Sequence, residues 1–397
     1  MVFYERIADA AGSGSVVIDW FTTGVCVRAD SQRTLDYVAS QHHLAGCPMR
    51  SPSGDRINLN VATDAGLVAG IRAWARAETI DRRESFRGEW YGCLRIASDE
   101  YALVVDHGHP NPHALITRDF RSWSVVGERA SGLGLVVSRT IRELVREDLL
   151  ARGAVMLHAA AAERPSGVGI LLVGAGSAGK TSSAIRIALG GGRVVGTDRT
   201  FLLAEDGSWL AVGLPMSTRL GAGSVRSLGL AEPLRSRSPI RALNPFKDGA
   251  ADQPIDGVVI SGLDKVSLGN GEVWDLLGCG FTAATAAGHV VVLESAPVAT
   301  PQFERLDPDD AVAAMRAHVL SPDPDYLSLW LAADPTPETA EAAFDRVAAL
   351  VAERTVMRVV WDPARHCDAK TARLLFSPYR LDHDKELVGR RRRANRY

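Results

Sequence analysis

Leu171-Leu172-Val173-Gly174-Ala175-Gly176-Ser177-Ala178-Gly179-Lys180-Thr181 is the stretch that decides the fold. From Gly174 it fits GxxxxGK[ST] at every fixed position, the pattern of a loop that cradles phosphate. A continuously apolar run, Val168 to Val173, leads into it, as expected for a strand covered on both faces. A helix over Thr181 to Leu189 leads out. The glycines permit a turn that points successive backbone N–H groups inward, and the helix N-terminus adds partial positive charge. Lys180 is placed to reach the β- and γ-phosphates, and the Thr181 hydroxyl to ligate Mg²⁺. The residues expected to hold the nucleotide are therefore Gly174, Ala175, Gly176, Ser177, Ala178, Gly179, Lys180, Thr181 and Ser182.

Working outward, the chain reads as strand, tight turn, strand, glycine loop, helix, strand. Val155 to Ala161 is the preceding strand, with the turn at Glu163-Arg164-Pro165-Ser166-Gly167. Arg193 to Gly196 is the following one, and Asp198 lies just past its C-terminal end. A carboxylate there can hold Mg²⁺ or take a proton from an acceptor hydroxyl. His158 lies within Met156-Leu157-His158-Ala159-Ala160-Ala161; taken alone, a histidine on an apolar strand reads as a core residue.

Histidine, small residues, turn, glycine loop and a strand ending in aspartate together resemble the catalytic domain of the HPr kinase/phosphorylase family. The resemblance extends more loosely to phosphoenolpyruvate carboxykinases. It covers about residues 150 to 365, and its specific part is Met156 to Ala161, Leu171 to Thr181 and Val194 to Asp198, followed by Gly213-Leu214-Pro215 and Arg219. It implies an α/β P-loop catalytic domain using ATP and Mg²⁺ to phosphorylate a hydroxyl. His158 would then stand by the phosphates, while Thr181 and Asp198 organise the metal and Asp198 also serves as base. Two positions depart from the family pattern. Ala175 stands where an acidic residue is usual, and Arg199 where a second aspartate is usual, so HPr itself is not the expected acceptor.

The expected catalytic set is Asp198, His158, Lys180 and Arg219, with Thr181 and Asp198 on the metal. Arg219 is chosen from a basic run of Arg219, Arg226, Arg235, Arg237, Arg241 and Lys247, as the residue nearest the nucleotide strands; an arginine there can stabilise a transferring phosphoryl group. The long irregular stretch from Ser236 to Asp256 reads as an active-site lid. The acceptor expected first is a Ser or Thr of a small protein or biosynthetic peptide. A small-molecule kinase and a nucleotide-binding regulatory module without transfer are the alternatives.

Residues 1–130 read as a separate α+β domain, with strands at Ser15 to Trp20, Gly24 to Arg28, Ile57 to Val61, Leu94 to Ala97 and Ala102 to Val105, and a helix near Ala65 to Ala77. Gly132 to Gly153 reads as a connecting helix within 131–153, its charged face formed by Arg139, Arg142, Glu143, Arg146 and Glu147. The catalytic domain is assigned to 154–365 and a basic extension, with Arg390 to Arg393, to 366–397. Later features are strands at Val258 to Ser261, Val290 to Leu293 and Met357 to Trp361, a hairpin turning at Asn270-Gly271, and helices opened by Asp307-Pro308 and Thr336-Pro337-Glu338. His107, His109 and His113 lie in a Pro-rich loop and read as loop chemistry rather than a metal site.

Composition agrees. The 397 residues carry a net charge of −2, which argues against nucleic acid as the main partner. Only five lysines accompany 40 arginines. Hydrophobic content of 46% with 23% charged residues is ordinary globular composition. No apolar run approaches the length of a membrane helix, so no membrane partner is expected. Five scattered cysteines (Cys26, Cys47, Cys93, Cys279, Cys367) and an N-terminus without a signal pattern point to a cytoplasmic setting. A homo-oligomer is compatible with all of this.

Overall fold

The computed structural model describes residues 3–44, 56–78, 81–86, 89–96, 100–106, 108–119, 121–236, 265–321, 323, 330–332, 340–363 and 365–366. The first part comprises α1 (Phe3–Ala10), β1 (Gly14–Trp20), β2 (Thr23–Ala29), α2 (Gln32–Gln41), β3 (Ile57–Thr63), α3 (Ala65–Glu78), β4 (Asp81–Phe86), β5 (Glu89–Arg95), β6 (Tyr101–Val105), β7 (His113–Thr117) and β8 (Trp123–Gly127). Its strands form one mixed sheet in the order β1-β2-β3-β8-β7-β6-β5-β4. Alternation along the strands serves both faces. Leu59, Val61, Leu115 and Val125 pack under Leu35, Val38, Val137 and Ile141, while Ala62, Ala114, Ile116 and Val126 pack under Ile7, Val68 and Ile71.

The connecting helix is α4 (Ala130–Ala151), with regular geometry only after Gly132, whose φ is +95°. Its expected charged face is not a solvated one. Glu143 and Arg146 are buried and pair at 2.8 Å, and Arg139 pairs with the half-buried Glu89. The reason is that α4 is covered on two sides. Its first half completes the core of the first sheet, and Val145 and Leu149 pack with Trp20 at the end of β1 and with Met156, Phe201 and Val212 of the next sheet. Trp20 Nε1 also donates to the Gly213 carbonyl at 2.6 Å.

The second part holds β9 (Val155–Glu163), β10 (Val168–Gly174), α5 (Lys180–Leu189), β11 (Arg193–Gly196), β12 (Arg199–Glu205), β13 (Ser208–Gly213), β14 (Thr218–Gly221), α6 (Ala222–Ser227), α7 (Ala231–Ser236), β15 (Lys265–Leu268), α8 (Asn270–Leu277), β16 (Gly280–Phe281), β17 (Ala284–Ser295), β18 (Gln302–Arg305), α9 (Pro308–Arg316), α10 (Ala340–Glu353) and β19 (Val356–Trp361). β10 is hydrogen-bonded on both edges, antiparallel to β9 and parallel to β17. β9 continues to β12, β12 to β13, and β13 back to β17, so these strands close a circuit around β10. One face packs Leu157, Leu171, Val173 and Val290 against Met315, Val347 and Leu350. The other packs Ala160, Ala162, Leu172 and Val291 against Ala184, Ile187 and Trp361. The alanines of β9 let α5 approach the sheet closely. Among the described residues, no helix is long and apolar enough to cross a membrane.

Two readings need correction. The hairpin at Asn270-Gly271 is absent: Asn270–Leu277 is α8, and β15 pairs with β14 instead. Glu272 accepts the Gly269 N–H at 2.7 Å, and Gly278 closes the helix at φ +67°. These caps at both ends outweigh the turn preference of the Asn-Gly pair. The strand expected at Leu94 to Ala97 ends at Arg95 and begins at Glu89. The strand at Val258 to Ser261, the lid at Ser236 to Asp256 beyond Ser236, the Thr336-Pro337-Glu338 helix start and the Arg390 to Arg393 tail lie outside the described residues.

Candidate active site

Because β10 is paired on both edges, its C-terminal end opens at the middle of the sheet, and the glycine loop starts there. Gly174 has φ +149°, Ser177 φ +65° and Gly179 φ +91°. At Gly174 a Cβ would lie 2.3 Å from the Leu293 carbonyl, and at Gly179 it would lie 2.3 Å from Trp361 Cζ2. Trp361, fully buried, also donates its indole N–H to the Ala178 carbonyl at 2.9 Å. The loop is thus fixed by its own glycines and by a tryptophan at the end of β19. Gly179→Ala is expected to cost about 1–2 kcal/mol from the left-handed backbone alone, plus the clash with Trp361. Urea denaturation measures it, and an unchanged midpoint would contradict the account.

Lys180 opens α5 and is buried; its Nζ donates to the Gly174 carbonyl at 2.6 Å and the Ala175 carbonyl at 3.0 Å. Burial, with a contribution from the Lys265 charge and against the pull of Asp198, brings its pKa down to about 8. Thr181 Oγ1 donates to the Thr197 carbonyl at 2.9 Å, which ties the first turn of α5 to the end of β11. Ser182 Oγ is 2.8 Å from Ser224 Oγ.

Asp198 follows β11, where its carbonyl accepts the Ala159 N–H at 3.1 Å, so it lies beside β9. Its Oδ1 is 3.5 Å from His158 Nε2, and its Oδ2 accepts from Arg199 Nη1 at 2.7 Å. Burial alone would raise this carboxyl, but the His158 contact and the nearby Arg199 and Arg219 charges hold it well below the usual range. His158 itself is half-exposed, with its backbone N–H bonded to the His318 carbonyl at 2.8 Å. His318 is pushed down to about 4 by burial and by the Lys180 and His158 charges. Arg199 extends the arrangement inward, donating from Nε at 2.7 Å and Nη2 at 3.2 Å to the two oxygens of Asp323.

A cavity of about 600 Å³ gathers these groups. His158, Gly176, Ser177, Ala178, Gly179, Lys180, Thr181, Ser182, Asp198 and Arg219 all line it. Gly174 and Ala175 form the base of the loop and do not line it. Of the basic run, Arg226 also reaches the cavity, whereas Arg237, Arg241 and Lys247 lie outside the described residues, as does the side chain of Arg235. Sequence reasoning missed Lys265, Trp361, Arg186, Asp323 and the role of Arg199. For Trp361 the signal was its place at the end of a strand parallel to β17; Asp323 had none. Of the histidine loop, His113 is bonded through Nδ1 to the Asn111 carbonyl at 2.6 Å and through Nε2 to the Tyr91 hydroxyl at 2.6 Å. His107 lies outside the described residues.

No family model matches the sequence, and no curated protein does. Among solved structures, the chain is similar to the structure of the Hpr(Ser) kinase/phosphatase from Coxiella burnetii, at 12% identity and a TM-score of 0.26. The alignment covers 59% of this chain and 96% of that one.

Proposed function

We propose that the chain is an ATP- and Mg²⁺-dependent kinase that transfers the γ-phosphoryl group to a hydroxyl. The observation that carries this reading is that the glycine loop, Lys180 and Thr181 share one cavity with the Asp198–His158 pair. Loop amides and Lys180 would hold the triphosphate. Thr181 and Asp198 fit Mg²⁺, which binds through one or two protein oxygens plus substrate phosphates; when bound, it neutralises charge on the β- and γ-oxygens. The acceptor hydroxyl is oriented at Asp198. As its oxygen bonds to the γ-phosphorus and the β–γ bridge breaks, its proton passes to the Asp198–His158 pair.

Incubation of the protein with γ-labelled ATP, Mg²⁺ and cell extract tests the proposal, with label sought on peptides, on small proteins and on small metabolites. Asp198→Asn is expected to lower transfer by about 10²–10⁴-fold, the range for a positioned general base. One observation favours a second reading, a regulatory module that binds nucleotide without transfer: Arg199 already engages Asp198 Oδ2. Tight ATP binding with no label moved in any fraction would select that reading and end the kinase proposal.

A further inference from the structure

β14 and β15 form a two-stranded antiparallel ribbon outside the main sheet, with Arg219 opposite Ser267 and Gly221 opposite Lys265. In an antiparallel pair, directly opposed residues share a face, and residues two apart on one strand share it too. Arg219, Gly221 and Lys265 therefore belong to one face. The other face, Thr218, Leu220, Val266 and Leu268, is buried; its apolar members pack with Ile185, Val194 and Phe281. Burial of that face fixes the ribbon's orientation and turns Arg219 and Lys265 toward the cavity, which both line. Gly221 and Gly223 line it as well, and a Cβ at either would meet nothing within 4 Å, so the wall beside the cations is open.

The charge arrangement is one-sided. Arg219, Arg226 and Lys265 line the cavity and make no close ion pair with a carboxylate among the described residues, Arg219 acting on Asp198 only through its nearby charge. Most other arginines whose contacts are described have one, as Arg56, Arg139, Arg193, Arg199 and Arg358 do. Asp198, the carboxylate of the cavity, is engaged by Arg199 and His158. On the reading of the site as a kinase, Lys180, the loop amides and the N-terminus of α5 face the triphosphate. A magnesium triphosphate carries only about two negative charges in all. The ribbon cations are then in excess of what the nucleotide needs, and they stand on a strand pair of their own, near enough to the loop for the Lys265 charge to act on Lys180. An arginine fork beside a compact lysine charge is a pairing suited to a phosphate group.

We infer that the β14–β15 ribbon is a second anion subsite, and that the acceptor bears a phosphate monoester near the hydroxyl that is phosphorylated. This rests on the kinase reading for the word acceptor, but not for the subsite itself. The probe is glycerol 3-phosphate, titrated into full-length protein saturated with Mg²⁺ and a non-hydrolysable ATP analogue, with glycerol as the neutral match. A seryl-phosphoserine dipeptide alongside tells a free ester from a peptide-borne one. The expected result is saturable binding of a phosphate-bearing probe and none of glycerol. Lys265→Gln is expected to weaken the ester about tenfold and the nucleotide analogue much less, and Lys265→Arg to recover most of the loss. Equal binding of ester and glycerol would overturn the inference, as would a Lys265→Gln loss falling on the analogue instead. If the analogue itself did not bind, the kinase reading would fail. The titration on free protein would still decide the subsite by its sensitivity to Lys265→Gln against Lys180→Ala.

Discussion

Lys180→Ala is expected to leave the protein folded and to reduce nucleotide-dependent transfer by roughly 10²–10³-fold, the loss typical of removing one preorganised donor to developing oxyanion charge. The lysine is buried at the N-terminus of α5 and its Nζ is hydrogen-bonded to the Gly174 and Ala175 carbonyls, so on the proposed kinase reading it would contribute its charge to the phosphates. Its depressed pKa gives the prediction a second readout. Burial disfavours the ammonium, so the free protein loses this charge as pH rises through about 8. Bound phosphate favours the charged form and raises that pKa. Nucleotide affinity should therefore be flat below about pH 7 and should weaken above about pH 8, by up to a factor of ten per pH unit. Lys180→Ala should bind weakly with that slope removed. Calorimetric titration between pH 6 and 9.5 measures both proteins; a wild-type affinity that strengthened with pH would contradict the assignment.

Where several local rules pointed the same way, the sequence was a sound guide. β10 is apolar on both faces, the left-handed positions of the loop include two glycines, and the strand after α5 ends at Gly196, two residues before Asp198. The misses came where one local signal stood alone or where the partner was distant. Asn270-Gly271 was read as a turn, although Gly269, Glu272 and Gly278 cap a helix around it. The β12–β13 hairpin went unread despite its own turn signal: Asp206 and Gly207 both have positive φ, at 50° and 69°, as a type I′ turn requires. Lys265 was not singled out, because only the ribbon pairing of β14 with β15 brings it beside Arg219. Arg199 read as the loss of a carboxylate. Its partner Asp323 is 124 residues further on, in a segment with no pattern of its own.

That partnership carries the second large effect. The Asp323 side chain is fully buried, and Arg199 is 8% exposed. Removing one member of a buried ion pair leaves the other uncompensated in a poorly solvated place, at a cost of about 3–5 kcal/mol. Asp323→Ala is therefore expected to lower unfolding free energy by that amount in urea titrations. Replacing both residues by apolar ones of similar volume, Asp323→Leu with Arg199→Met, should restore most of the stability, because a buried pair is roughly matched by good packing. Function should not follow stability. Arg199 also fixes Asp198 Oδ2 at 2.7 Å and helps hold that carboxyl ionised, so its removal frees Asp198 to rotate and raises its pKa. The double variant should fold well, bind nucleotide, and transfer phosphoryl groups poorly. The acid limb of its pH–rate profile should move to higher pH, since Asp198 would protonate more readily there. Recovery of full transfer together with stability would show that the pair only holds the fold. A stable, slow enzyme with a shifted acid limb would identify Arg199 as the residue that positions Asp198, with Asp323 as its anchor.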